Sequence, residues 1–263
     1  MTCKLLLLAF GVIVAPLLIL ADDTNTIDVD RIRQHLPINL QNLSIPDFDE
    51  IENALKEKCI KAGGNDDSYE HAKQGAKDLA NCIKNLVDVD QFRQEVEQAK
   101  PTGDLDTVFN KYCRKRNTLL ECVNTFSNSL DPCLDSDEER HKGYGVDVFK
   151  NLLNFVCHKD GDQIALFIAE KGPECFQEQK DDLIKCVNGT FSGYLKDVDT
   201  TGSTIPKLVI GPKQCEDFAK LQDCFVRELE QCEESTPANL VESLFRFVRK
   251  GSPCDPKVKN SRR

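Results

Sequence analysis

The 263-residue chain has no tryptophan, a single methionine at its first position, and only four histidines, at 35, 71, 141 and 158. Tryptophan and methionine are favoured at hot-spot and adaptable binding surfaces, so a binding role would have to use other residues. Structural zinc needs closely spaced ligand pairs. There is no C-x2-C pair anywhere, so a metal site is not expected. No phosphate-binding glycine loop, H-E-x-x-H or nucleophile elbow is present, and no cofactor is implied. Strand signals are equally scarce. "STIPKLVIGPK" (203–213) is the one β-flavoured stretch, and its two prolines suit a linker better. Excess positive charge is also lacking. The formal net charge is −10, which repels phosphate backbones and anionic lipid and makes nucleic acid an improbable partner.

Long apolar runs occur once. "MTCKLLLLAFGVIVAPLLILA" carries Lys4, then an apolar region from Leu5 to Leu20, then the small Ala21 before Asp22. That is the pattern of a cleaved secretory signal. The run is short for a span and is broken by Gly11 and Pro16, so stable membrane anchoring is not expected. Cleavage would remove Cys3, leaving twelve of the thirteen cysteines, an even number in a chain bound for an oxidising compartment. The expectation is six disulfides among Cys59, Cys82, Cys113, Cys122, Cys133, Cys157, Cys175, Cys186, Cys215, Cys224, Cys232 and Cys254. Two sequons, Asn42-Leu-Ser44 and Asn188-Gly-Thr190, suit an extracellular glycoprotein.

Helical periodicity dominates the rest. Ala72, Ala76, Leu79, Ile83 and Leu86 repeat at three-four spacing, with Asp67 and Glu70 as the expected capping box. Asp47 with Glu50 marks an earlier helix carrying Ile51, Leu55 and Cys59. Ser136 with Glu139 opens a stretch that reaches Phe149, Leu152, Leu153 and Val156 beyond Gly143 and Gly145. Thr236-Pro237 reads as N-cap and first turn of a last helix ending near Gly251. The fold class is all-α: a disulfide-stapled bundle of about eight to ten helices built from degenerate repeats. The expected organisation is signal 1–21, N-terminal segment 22–46, first cysteine-rich helical unit 47–202, linker 203–213, second unit 214–254 and basic tail 255–263.

The chain repeats itself. "LLECVNTFSNSL" around Cys122 and "LIKCVNGTFSGYL" around Cys186 are close copies. "KYCRKRNTLLEC" and "KQCEDFAKLQDC" share a C-x8-C spacing, "VFKNLLNFVC" parallels "ESLFRFVR", and "KGPEC" parallels "KGSPC". Nine residues along a helix span about 13.5 Å, whereas bonded cysteines need Cα atoms within about 7 Å. Cys113–Cys122 and Cys215–Cys224 are therefore excluded on a continuous helix, which would instead be stapled to two neighbours. Twelve cysteines allow about 10,000 pairings, so the connectivity cannot be read directly. The repeat equates Cys113, Cys122, Cys133 and Cys175 with Cys215, Cys224, Cys232 and Cys254 and so predicts bonding within each set. Cys59, Cys82, Cys157 and Cys186 would then pair among themselves.

Two stretches invite chemistry. "FVCHKDGDQ" clusters Cys157, His158, Asp160 and Asp162, but Lys159 follows the histidine and no calcium loop exists, so a disulfide and a polar helix cap are expected there. The carboxylates (Asp135, Asp137, Glu138, Glu139; Glu228, Glu230, Glu233, Glu234) fit a solvated surface. The function expected is a non-catalytic binding, storage or defence role in extracellular fluid. The alternative is a carrier of a small hydrophobic ligand, lipid or hormone, drawing on Phe109, Phe126, Phe149, Phe155, Phe167, Phe191, Phe245 and Phe247. A secreted hydrolase is a third, weaker reading.

The signal, the twelve remaining cysteines, the "LxxCV" phrases at Cys122 and Cys186, and the "YC", "FVC" and "GPEC" steps at Cys113, Cys157 and Cys175 together resemble the 27-kilodalton haemolymph glycoproteins of insects. The resemblance runs from about Asp47 to Cys254. It implies a secreted, helical, cysteine-rich protein of the circulating fluid with no assigned activity, and it brings no catalytic residues. Arg249 stands where a counterpart of Cys157 is expected in the second repeat.

Overall fold

The computed structural model describes residues 48–196, 209–250 and 252–255. The expected signal, the N-terminal segment with Asn42, residues 203–208 of the expected linker, Gly251, and the tail from residue 256 lie outside the described residues. Among the described residues there are eleven α-helices, two short 3-10 segments and no strand. The helices are α1 (Phe48–Lys61), α2 (Asp66–Leu86), α3 (Val89–Ala99), α4 (Leu105–Cys113), α5 (Arg116–Ser129), α6 (Ser136–Val156), α7 (Asp162–Ala169), α8 (Gly172–Glu178), α9 (Lys180–Lys196), α10 (Pro212–Leu229) and α11 (Thr236–Arg249). The number exceeds eight to ten because the stretch after Cys157 breaks into short pieces. Gly161 (φ +98°), Lys159 (φ +45°) and Lys171 (φ +54°) sit in left-handed backbone around α7 and end the helices there.

Local chemistry shifts three helix starts from their expected places. At α2 the cap is Asn65, not Asp67: its side chain accepts from the Ser68 amide at 3.0 Å, and Ser68 Oγ accepts from the Asn65 amide at 3.0 Å. At α6 the cap is Asp135 with Glu138, not Ser136 with Glu139, because the aspartate accepts from the amides of Asp137 and Glu138. At α11 Ser235 precedes the helix, without a side-chain cap, and Pro237 falls in the first turn. α6 passes unbroken through Gly143 and Gly145. α10 begins at Pro212, inside the segment expected as linker.

The disulfides set the architecture, and they overturn the expected pairing sets. The bonds are Cys59–Cys133, Cys82–Cys122, Cys113–Cys157, Cys175–Cys232, Cys186–Cys224 and Cys215–Cys254. Numbered in chain order, the first six of the twelve described cysteines bond one to five, two to four and three to six. So do the second six. The chain thus carries one three-bridge module twice, at Cys59–Cys157 and at Cys175–Cys254, and no bridge joins the two.

The premise that equivalent cysteines bond equivalently holds, but the frame is displaced. Cys113, Cys122 and Cys133 do correspond to Cys215, Cys224 and Cys232. Cys254, however, is the counterpart of Cys157, and Cys175 opens the second module as Cys59 opens the first. "KGPEC" and "KGSPC" match by wording and not by place. Arg249 lacks a cysteine because α11 ends at that residue and the bonding cysteine follows in the next turn, at Cys254. Cys186 corresponds to Cys82, so the "CVN" helices α5 and α9 are not equivalents; each supplies one end of a two-to-four bridge. Two bridges, Cys175–Cys232 and Cys186–Cys224, cross residues 203–213, so that segment does not divide the chain into covalently separate units.

Helix packing repeats with the bridges. α2 lies along α5 and α5 meets α6; α9 lies along α10 and α10 meets α11. α10 carries Cys215 and Cys224 on one continuous helix and is stapled to both neighbours, as the spacing predicts. The last helices of the two modules pack on one another: the rings of Phe155 and Phe247 are 5.8 Å apart, and the Asn151 amide donates to the Lys250 carbonyl at 2.8 Å. The main core sits beside that junction. Val96, Ala99, Leu105, Phe109, Phe167 and Ile168 are buried together, with Leu240 of α11 against them. Gly161 permits the close approach of α7 to α4, since a Cβ there would lie 2.4 Å from Cβ of Phe109.

Candidate functional site

Several of the residues singled out for chemistry have local roles in the fold. The Cys157 sulfur is bonded to Cys113, so it is neither nucleophile nor metal ligand, and His158 lies exposed in the 3-10 turn that follows. The acidic runs divide. Asp135 caps α6, Asp137 pairs with Arg140, Glu228 with Arg227, and Glu233 with Lys171. Glu138 differs from all of these. It is 2% exposed, its Oε1 meets Lys58 Nζ at 2.5 Å, and its Oε2 accepts the Asp135 amide at 3.2 Å. Both oxygens are satisfied, and the pair fastens α1 to the start of α6. A buried pair of this kind fixes geometry more than it adds stability.

Cys186, Cys224 and Glu228 lie together in a ligand-like group. The two sulfurs are bonded to each other and hold no thiolate for a metal, so this group is a staple.

On α3 and α4 a polar and aromatic cluster faces outward. Phe92 meets Tyr112 edge-on at 4.7 Å, and Lys111 and Lys115 lie 5.2 and 5.5 Å from the Tyr112 ring centre. Lys111 donates to Glu95 at 2.6 Å. That hydrogen bond holds the Glu95 carboxyl below its usual value and raises the Lys111 ammonium, while burial pushes the Tyr112 phenol up. The cluster ties α3 to α4, and the raised pKa values of Lys111 and Tyr112 hold both groups in their protonated, non-nucleophilic forms.

Most of the phenylalanines counted as pocket-lining pack in the core, Phe126 and Phe247 are half-buried, and the side chain of Phe191 lies outside what is described. Phe109, Phe149, Phe155 and Phe167 are buried, and Phe245 stacks with Phe218 and Phe225. Two concavities stand out on the surface, and neither is lined by a phenylalanine. A small polar one of about 320 Å³ lies between Gly64, Ser68 and Pro132, next to the Cys59–Cys133 bridge. A larger cleft of about 610 Å³ runs over α7, floored by Leu105, Ala165, Leu166, Ile168 and Ala169 and rimmed by Lys100, Asp162 and Glu174. Sequence reasoning missed this cleft: the six consecutive apolar residues of "DQIALFIA" mark α7 as a helix to be buried and do not tell which face stays uncovered. Asn188, the sequon asparagine within the described residues, is half-buried on α9 beside the open Gly189. No described helix is long and apolar enough to cross a membrane.

A known family spans the region that holds the bridges. Residues 45–254, which contain both modules, match the family described as proteins of unknown function, DUF1397. A 27 kDa hemolymph protein of Galleria mellonella is 40% identical over 78% of this chain and 84% of its own. A 27 kDa hemolymph glycoprotein of Manduca sexta is 37% identical over 80% of this chain and 87% of its own. A 27 kDa glycoprotein of Bombyx mori is 38% identical over 79% and 88%. No solved structure matches the chain. With both cysteine modules inside the shared region, the chain belongs to the 27-kilodalton haemolymph glycoprotein family of insects, and it is a secreted, disulfide-bonded, all-helical protein of the extracellular fluid.

Proposed function

We propose that the protein is a non-catalytic binding glycoprotein of the circulating fluid, made to persist there. The observation that carries this reading is the doubled three-bridge module, in which all twelve described cysteines are bonded. Closing loops of 38 to 74 residues restricts the unfolded chain at every stage of opening. Each such bridge contributes roughly 2–4 kcal/mol, and heat and proteases act through that opening. The candidate nucleophile and the candidate metal ligands are consumed as staples, which supports a role by contact. Cleavage after Ala21 and glycans on Asn42 and Asn188 complete this reading.

A carrier role is the second reading, favoured by the apolar cleft over α7. Protein purified from its native fluid, extracted under denaturing conditions and examined by mass spectrometry, separates the two. A stoichiometric hydrophobic molecule establishes the carrier. Its absence leaves an unliganded binding or storage protein. Turnover of added ester, peptide or glycoside substrates by the purified protein would refute the non-catalytic reading.

A further inference from the structure

We infer that the cleft over α7 is a binding site for a neutral apolar small molecule; this rests on the carrier reading and assigns it a place and a ligand chemistry. Three observations converge on α7. First, the helix lies outside the duplicated pattern. It falls between Cys157, the last cysteine of the first module, and Cys175, the first of the second, so neither set of bridges requires it.

Second, its outer face is apolar and uncovered. A helix that is apolar all round belongs in an interior. α7 does bury Phe167 and Ile168, yet Leu166 is 45% exposed and Ala169 is open to solvent. These two residues, with Ala165, Ile168 and Leu105, form the floor of a cleft of about 610 Å³, within the range of roughly 300–1,000 Å³ typical of small-molecule sites.

Third, α7 is held in place at a cost in backbone strain. Lys159 and Lys171, on either side of it, both adopt left-handed backbone that a side chain disfavours. Such strain gathers where a segment must be presented in one position, as at ligand clamps.

The rim selects the charge of the occupant. It offers one cation, Lys100, already bound to Glu97 at 2.8 Å, and two exposed carboxylates, Asp162 and Glu174. An anionic headgroup would meet two like charges and a lysine that is already neutralised, within a protein of net charge −10. A hydroxyl or ester can accept from Lys100 without that repulsion. The site therefore takes a neutral molecule and rejects a carboxylate.

The test is a fluorescence titration of the full mature protein with the neutral probe N-phenyl-1-naphthylamine, followed by displacement with dodecanol or dodecanoate. Saturable one-site binding is expected, with dodecanol displacing the probe at concentrations at least tenfold lower than dodecanoate. Leu166→Glu and Ala169→Trp, both at solvent-facing positions, should each weaken probe binding at least tenfold, whereas Ile60→Glu on α1 should leave it unchanged. Hydrogen exchange on the unmodified protein supplies a reading independent of any variant: dodecanol should protect residues 162–170. Absence of saturable binding, binding untouched by both cleft substitutions, or exchange protection confined to other helices would overturn the site. Dodecanoate binding as tightly as dodecanol would overturn its charge selectivity. A native ligand retained by both variants would refute the cleft while leaving the carrier reading intact. Probe binding at the cleft in protein that carries no native ligand would support the cleft and remove the carrier role.

Discussion

Gly75→Ala should destabilise the protein, although the same change in most exposed helix interiors is stabilising. Gly75 lies within α2, on the face that packs along α5. A Cβ there would sit 2.0 Å from Oγ of Ser129 and 2.6 Å from its Cβ. The hydroxyl could rotate away, at the loss of its 2.7 Å bond to the Phe126 carbonyl. The Ser129 Cβ cannot move without the backbone. Nor can the helices slide apart freely, because Cys82–Cys122 fastens them with Cα atoms 6.5 Å apart. Helix propensity favours alanine by about 1 kcal/mol, while overpacking a tight contact costs about 1–3 kcal/mol. With two close contacts and a staple the upper part of that range applies, giving a net loss of about 1–2 kcal/mol. Denaturant unfolding under non-reducing conditions, followed by far-ultraviolet circular dichroism, measures it. Ser129→Gly removes both offending atoms, so in the double variant the two changes should couple favourably by at least about 1 kcal/mol. A stabilised Gly75→Ala protein, or strictly additive effects, would refute the packing described between α2 and α5.

Three further outcomes are expected. Lys58→Met strands the buried Glu138 carboxylate and should cost about 3 kcal/mol, most of it recovered by adding Glu138→Gln; an effect within measurement error would show that the pair is solvated. Glu95 should titrate below its usual value and Lys111→Met should raise it, as read by carboxyl NMR shifts. Because the folded pKa is depressed, the stability Glu95 contributes is present above its unfolded pKa and is lost as pH falls through the folded one, and Lys111→Met should weaken that acid-side dependence. Asn188→Gln should lower the mass of secreted protein by one glycan, and an unchanged mass would show that the sequon is unused.

Much of the fold was legible because helices announce themselves locally. The three-four spacing from Ala72 to Leu86 produced α2, and the even number of cysteines expected to remain after signal cleavage anticipated six bridges. The helix starts slipped by a residue or two because several Asn, Asp and Ser side chains compete for the same free amides, and only the backbone path decides among them. The bridge frame slipped for a different reason. Short phrases such as "KG-x-x-C" and "CVN" recur at non-equivalent places, and the true equivalence lies in the order of bonding, which is a long-range property. The cleft over α7 went unread because apolar residues in a row predict burial, and which face stays uncovered is decided by helices far away in the chain.

Non-reducing peptide mapping of the secreted protein tests the central claim, the doubled module, most directly. Six linked peptide pairs are expected: Cys59 with Cys133, Cys82 with Cys122, Cys113 with Cys157, Cys175 with Cys232, Cys186 with Cys224, and Cys215 with Cys254. A single bridge joining a cysteine at or before Cys157 to one at or after Cys175 would contradict it.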